Sequence, residues 1–147
     1  MRFWVKCHPP RSTAQSSKKI VSTAKGPRMY TDKKGQALRD NFYALLHPFV
    51  PVKAYSGPLR LVVWYCLPLN KNEKKAVREA GWAMHDKRPD CDNLSKLFCD
   101  IMGSLGFWND DSQIVHLSFK KFRSEAPGIG VAIEKLETLK SPLTWVG

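Results

Sequence analysis

Leu59-Arg60-Leu61-Val62-Val63-Trp64-Tyr65-Cys66-Leu67 is apolar at every position but one and is rich in β-branched and aromatic residues. A strand that is apolar on both alternating faces must be covered on both sides, so this stretch predicts the central strand of a sheet. It is also far too short for a bilayer-spanning helix, which needs about 20 apolar residues.

The flanking sequence supplies partners for such a strand. Phe3, Val5 and Cys7 alternate with polar or exposed neighbours until Pro9-Pro10, the period of a strand with one buried face. Asp32 can cap a helix from Lys33 to Leu46, with Leu38, Phe42 and Leu45 on one side and Pro48 and Pro51 beyond its end. Residues 71–80 predict a short exposed helix closed by Gly81. Residues 82–86 predict a short extended piece. Pro89 keeps Arg88 out of the helical region, so the next helix starts after it. From Asn93, the residues Leu94, Leu97, Phe98, Ile101, Met102 and Leu105 mark its buried stripe, with Gly106 as C-cap. Residues 114–122 alternate as a half-buried strand, and residues 128–136 form another. The tail from Ser141 shows no clear period. The expected fold is one α/β domain over residues 1–147, a mixed sheet of about four strands packed with helices.

At 147 residues and 43% hydrophobic content, the chain is long and apolar enough to bury one core. The N-terminus lacks the apolar run and cleavage site of a signal peptide, so a cytoplasmic location is expected. Cys7, Cys66, Cys91 and Cys99 show no C-x-x-C spacing, which argues for reduced, packed thiols over a structural zinc site. Lys and Arg number 24 against 13 acids, a formal charge of +11. A balance this basic points to a polyanionic partner, and no lone amphipathic basic helix favours membrane over nucleic acid. Residues 11–34 hold Arg11, Lys18, Lys19, Lys25, Arg28, Lys33 and Lys34 against the single acid Asp32. They are a solvated loop or a phosphate-contacting arm; composition does not separate the two.

Against this charge, acids gather at both ends of one amphipathic helix. Asp90 and Asp92 lie two apart in an extended lead-in, so both side chains point to one side. From Leu105 the chain can return far enough to bring Asp111 beside them, and a partner subunit could supply it instead. Two carboxylates ~4 Å apart repel by roughly 4 kcal/mol at an effective dielectric near 20, a cost that a shared divalent cation removes. Hard oxygen ligands favour Mg²⁺, with Mn²⁺ possible, and such an ion polarises a phosphodiester and activates water. Lys96 lies one helical turn after Asp92, placed to stabilise developing charge, and Asp100 lies one turn further, placed to orient Lys96. Each acid also has a bland explanation. Asp90, Asp92 or Asn93 could cap the helix, Asp92–Lys96–Asp100 could be a surface ion ladder, and residues 109–112 could be turn chemistry.

Arg88-Pro89-Asp90-x-Asp92-Asn93-Leu94-x-Lys96, with Asp100 and then Gly106-Phe107-Trp108-x-Asp110-Asp111-x-Gln113-Ile114, resembles the RusA family of Holliday junction resolvases. The resemblance is dense from Lys87 to Ile114, and Pro9-Pro10, Lys18-Lys19, residues 25–28 and Tyr30-Thr31 look like a stretched version of the family's N-terminal part. It implies a RusA-like fold and a homodimer that resolves four-way DNA junctions by Mg²⁺-dependent paired nicking. It also implies Asp90, Asp92 and Asp111 as metal ligands, Lys96 as the essential lysine and Asp110 as an auxiliary acid. Lys18, Lys19, Lys25, Arg28, Lys87, Arg88, Lys120, Lys121 and Arg123 are then the expected phosphate contacts. Two rivals stand beside this expectation: a branched-DNA-binding protein without catalysis, and a nuclease preferring forks or flaps.

Overall fold

Residues 1–11, 18–31 and 33–137 are described by a computed structural model. In chain order they form β1 (Arg2–Lys6), β2 (Lys18–Thr23), β3 (Gly26–Thr31), α1 (Lys33–Leu46), β4 (Leu59–Pro68), α2 (Lys75–Ala80), β5 (Trp82–Met84), α3 (Cys91–Leu105), β6 (Ile114–Ser124) and β7 (Gly128–Lys135). The main sheet has the order β1-β7-β4-β6-β5, and β2-β3 form a separate two-stranded sheet. The apolar 59–67 stretch is the centre of the main sheet, antiparallel to β7 and parallel to β6. Five strands stand where about four were expected, because the three-residue β5 pairs with the end of β6 as an edge.

Both predictions for the faces of β4 hold. Leu61, Val63, Tyr65 and Leu67 pack against Phe42 and Leu46 of α1 and against Leu94, Leu97, Phe98, Ile101 and Met102 of α3. The last five are the stripe read from helical spacing. On the other face, Val62 and Cys66 are also buried. The lone charge, Arg60, lies opposite Glu134 in the register, and their side chains meet at 3.3 Å. Glu134 also accepts from Arg2 at 2.9 Å, and these two guanidinium partners, Arg2 foremost, hold its carboxyl below the usual range. Trp4 lies against β7, where a side chain at Gly128 would come within 2.6 Å of its ring.

Residues 18–31, expected as loop or arm, fold into a hairpin. Thr23 pairs with Gly26 across Ala24-Lys25, Thr23 Oγ1 donates to the Gly26 carbonyl at 2.6 Å, and Gly26 adopts φ 101°. Its adjacent residues Ile20 and Val21, which point to opposite faces, are both exposed, and no alternation marks the hairpin in the sequence. Asp32, the side chains of Lys18 and Lys19, and the tail from residue 138 lie outside the described residues. The predicted 71–80 helix starts only at Lys75. Before it, Asn70 donates from its backbone and side-chain amides to Glu73, and Arg78 reaches back to the Lys71 and Glu73 carbonyls, which fixes a turn. Gly81 closes α2 at φ 73°, as expected.

α3 runs from the C-terminal end of β6, where β5 pairs, back to its N-terminal end, where the turn before β6 begins. Its start therefore sits at the C-terminal ends of two parallel strands, the usual location of ligand sites in such sheets. Among the described residues, no helix is long and apolar enough to cross a membrane.

Candidate active site

The segment leading into α3 is pinned by β6. Lys121 donates its ammonium to the carbonyls of Lys87 at 2.5 Å and Pro89 at 2.8 Å. Arg123 donates to Glu73 at 2.7 Å, to the Met84 carbonyl at 3.1 Å and to His85 Nδ1 at 3.3 Å. His85 Nε2 faces the Arg88 carbonyl at 2.9 Å, which requires the proton on Nε2 and leaves Nδ1 to accept from Arg123. The Glu73–Arg123 pair is almost buried, and the guanidinium bond holds the Glu73 carboxyl below its ordinary value.

Asp90 is the N-cap of α3 in backbone conformation, and its carbonyl accepts from the Leu94 amide at 3.1 Å. Its carboxylate makes no capping bond. Asp92 follows in the first turn, exposed. The capping explanation therefore accounts for the backbone of Asp90 but not for its side chain, and among the described residues neither the Asp90 nor the Asp92 carboxylate has a partner at the positive end of the helix. Among the described residues, Lys96 forms no ion pair with Asp92 or Asp100 within 4.0 Å, so the ladder explanation fails too. Asp100 is exposed on the solvent side of α3.

At the other end of α3, turn chemistry and site are divided between neighbours. Asp110 caps the turn Asp111–Gln113. Its carboxylate accepts from the Ser112 amide at 2.8 Å, while Gln113 Oε1 accepts from the Asn109 and Asp110 amides at 2.9 Å. The hydrogen bonds from Ser112 hold the Asp110 carboxyl below its ordinary value. Gln113 Nε2 ties the turn to the carbonyls of Tyr55 and Gly57. Asp111 is thereby presented outward, with Oδ1 accepting from the Trp108 indole at 2.6 Å. It also lies over Gly103, where an added Cβ would come within 2.8 Å of that oxygen. Burial, then the Asp111 and Asp100 charges, push the Cys99 thiol up to about 11.

Asp111 thus sits against the last turns of α3, while Asp90 and Asp92 sit at its first. Thirteen residues of helix separate Asp90 from Gly103, a span of ~20 Å at ~1.5 Å per residue. Among the described residues, no three His, Cys, Asp or Glu side chains are arranged to hold a metal ion. The single chain brings Asp90 and Asp92 together and keeps Asp111 apart; of the two routes open from the sequence, return within the protomer does not occur. Asp92, Lys96, Cys99 and Gly103 nonetheless form one stripe along α3, at the 3–4-residue spacing of one helix face.

The expected phosphate contacts divide in the same way. Lys25, Arg28, Lys87, Arg88 and Lys120 are exposed. Lys121 and Arg123 are only partly exposed and are engaged by loop carbonyls and Glu73. A groove of about 900 Å³ beside the Asp90 segment is lined by Arg11, Lys74, Lys87, Arg88 and Arg123. Sequence reasoning missed Gly103 and the Trp108 indole as the seat of Asp111. The signal was available: a glycine inside a helix costs about 1 kcal/mol against alanine and asks for a packing reason.

The family model of Endodeoxyribonuclease RusA matches residues 9–134. A crossover junction endodeoxyribonuclease rusA of Lactococcus phage r1t is 27% identical over 141 residues, covering 92% of this chain and all of the relative. An uncharacterized protein, YqaN of Bacillus subtilis strain 168, is 33% identical over 91 residues, covering 58% of this chain and 63% of its own.

Proposed function

The chain belongs to the RusA family of endodeoxyribonucleases, and we propose that it resolves four-way DNA junctions by paired nicking in a homodimer. The observation that carries this reading is three aspartates divided between the two ends of α3 in a protein of charge +11: Asp90 and Asp92 without side-chain partners among the described residues, and Asp111 held through one oxygen by the Trp108 indole. Carboxylate oxygens are the hard donors that Mg²⁺ or Mn²⁺ prefers, so Asp90, Asp92 and the Asp111 oxygen that does not accept from Trp108 fit such an ion. Bound there, it would supply Lewis-acid polarisation of the phosphodiester and offset the charge that develops in hydrolysis.

Each site is completed across the dimer. Two α3 helices laid antiparallel along the Asp92–Lys96–Cys99–Gly103 stripe set the partner's Asp111 beside Asp90 and Asp92, and the two-fold axis repeats the arrangement. Val115 and Leu117, at the start of β6, are 63% and 44% exposed in the single chain, which leaves apolar surface for such contact close to Asp111. Lys96, exposed on the same stripe and without an ion pair among the described residues, stabilises negative charge on the scissile phosphate. Asp110 and Trp108 hold Asp111, and Lys121 holds the Asp90 segment. Lys25, Arg28, Lys87, Arg88 and Lys120 bind backbone phosphates, so affinity falls steeply with salt.

The test is subunit mixing. Asp92→Asn and Asp111→Asn are each expected to bind a synthetic four-way junction without nicking it in Mg²⁺. Co-refolded, they form mixed dimers in which one shared site regains all three acids, and single nicks return. Mixtures as inactive as either parent would reject the shared site, and a parental rate from Asp92→Asn alone would reject the ligand assignment.

A further inference from the structure

Two cavities meet beside the Asp90 segment. One is the basic groove described above. The other, about 570 Å³, is walled mainly by apolar surface from Trp82, Met84, Phe122 and Cys91, with Lys120 and Lys121 at its side. His85 and Asp86 line both. Trp82 and Met84 are 51% and 72% exposed on the three-residue strand β5. Large apolar side chains this open contribute little to the core, and β5 is too short an edge to recruit another strand with strength.

We propose that the apolar cavity receives one unpaired base of the DNA, while the adjoining phosphates run through the basic groove; the inference rests on the nuclease reading above. A cavity of this volume falls in the range that holds small heterocyclic ligands, about 300–1,000 Å³. Aromatic faces flanked by cations are the usual platform for unstacked bases, since every base offers a π-face whatever its sequence. The charge distribution decides against an apolar protein partner. Lys120 flanks the apolar cavity, and Arg11, Lys74, Lys87 and Arg88 line the groove next to it. Glu73, an acid in that groove, is already neutralised by Arg123. Asp86, where the two cavities join, repels phosphate from the apolar side and so favours base in one and backbone in the other. Cys91 follows Asp90 directly, so an inserted base would fix the strand next to the proposed metal ligands.

The test measures binding in EDTA, where cleavage plays no part. The full chain is titrated against a forked DNA carrying 2-aminopurine at an unpaired position, and against a fully paired duplex of the same sequence. Trp82→Ala is expected to weaken binding to the unpaired-base DNA roughly tenfold. Duplex affinity should be unchanged, and the 2-aminopurine quenching seen with the parent protein should be lost. Trp82→Phe should restore most of both. If Trp82→Ala loses its cooperative melting transition, Met84→Asp replaces it with the same expectation. Equal loss on both DNAs, or loss on neither, overturns the proposal. A parent protein that selects the unpaired base but never nicks a junction in Mg²⁺ would overturn the nuclease reading and leave the base pocket standing. Nicking that persists in a Trp82→Ala variant with undiminished base selectivity would do the reverse.

Discussion

Gly103→Ala isolates the role of Asp111 from the stability of the helix that carries it. In an ordinary exposed helix the substitution stabilises by about 1 kcal/mol. Here the new Cβ would lie 2.8 Å from Asp111 Oδ1 and 3.3 Å from Trp108 Nε1, whereas ordinary contact begins at 3.4 Å. The carboxylate oxygen must therefore retreat by about 0.6 Å, the difference between 3.4 and 2.8 Å. Trp108 is 2% exposed and cannot follow, so the 2.6 Å indole bond stretches. A hydrogen bond to a charged group contributes about 1.5–3 kcal/mol, and losing most of it outweighs the helix gain. The variant should melt lower, by a net ~0.5–2 kcal/mol. Its nicking rate should fall further than that suggests. A misplacement of ~1 Å at a reacting centre costs about a hundredfold, so a shift of about 0.6 Å predicts a loss of roughly tenfold or more. The assay is the initial nicking rate on a four-way junction in Mg²⁺, with junction affinity in EDTA and a thermal melt as controls. Parental nicking by a folded Gly103→Ala would show that the seat of Asp111 does not matter to the chemistry.

Lys121→Met should remove the tie between β6 and the Asp90 segment and destabilise by about 1–3 kcal/mol. Nicking should fall far more than junction affinity does; the opposite pattern would return Lys121 to phosphate contact. Acid should also weaken the fold. The Glu73 carboxyl is held below its ordinary value of 4.5, by Arg123 foremost, so its contribution is complete above pH 4.5 and is lost as pH falls through the depressed value. Melting temperature should drop on acidification below pH 4.5, and Glu73→Gln should flatten that part of the profile. A Glu73→Gln variant with the parental acid slope would refute the assignment.

The main sheet and both long helices were legible because periodicity reports burial directly. The 59–67 run, apolar on both faces, marks a strand covered on both sides, and Leu94, Leu97, Phe98, Ile101 and Met102 give the inward stripe of α3. The hairpin of residues 18–31 was not legible. With Ile20 and Val21 both open to solvent, its pairing rests on backbone bonds and one glycine turn. The charges were legible as residues but not as roles. Lys120 and Lys121 are adjacent and chemically identical, yet strand alternation sends one to the open face and the other toward the carbonyls of Lys87 and Pro89. Asp110 and Asp111 divide in the same manner, one consumed by its turn and the other presented by it. Helical spacing lets Asp111 approach α3 but does not say at which end, and the end decides whether one chain or two make a site.

That separation has a physical advantage. Carboxylates ~4 Å apart repel by roughly 4 kcal/mol per pair at an effective dielectric near 20, and in the isolated chain Asp111 never incurs that cost with the other two. On the proposed arrangement, pairing two chains would concentrate the repulsion at the interface twice, where a divalent ion at each site offsets it. Metal binding and dimerisation would then stabilise each other, because an ion that binds only the paired state shifts the equilibrium toward it. A single chain on DNA would carry the basic groove and the exposed lysines but no complete site. Binding could precede cutting, and cutting would require two protomers. In a junction, where one nick without its counterpart leaves the branch unresolved, that dependence links the two cuts through geometry, with no separate signal between the sites.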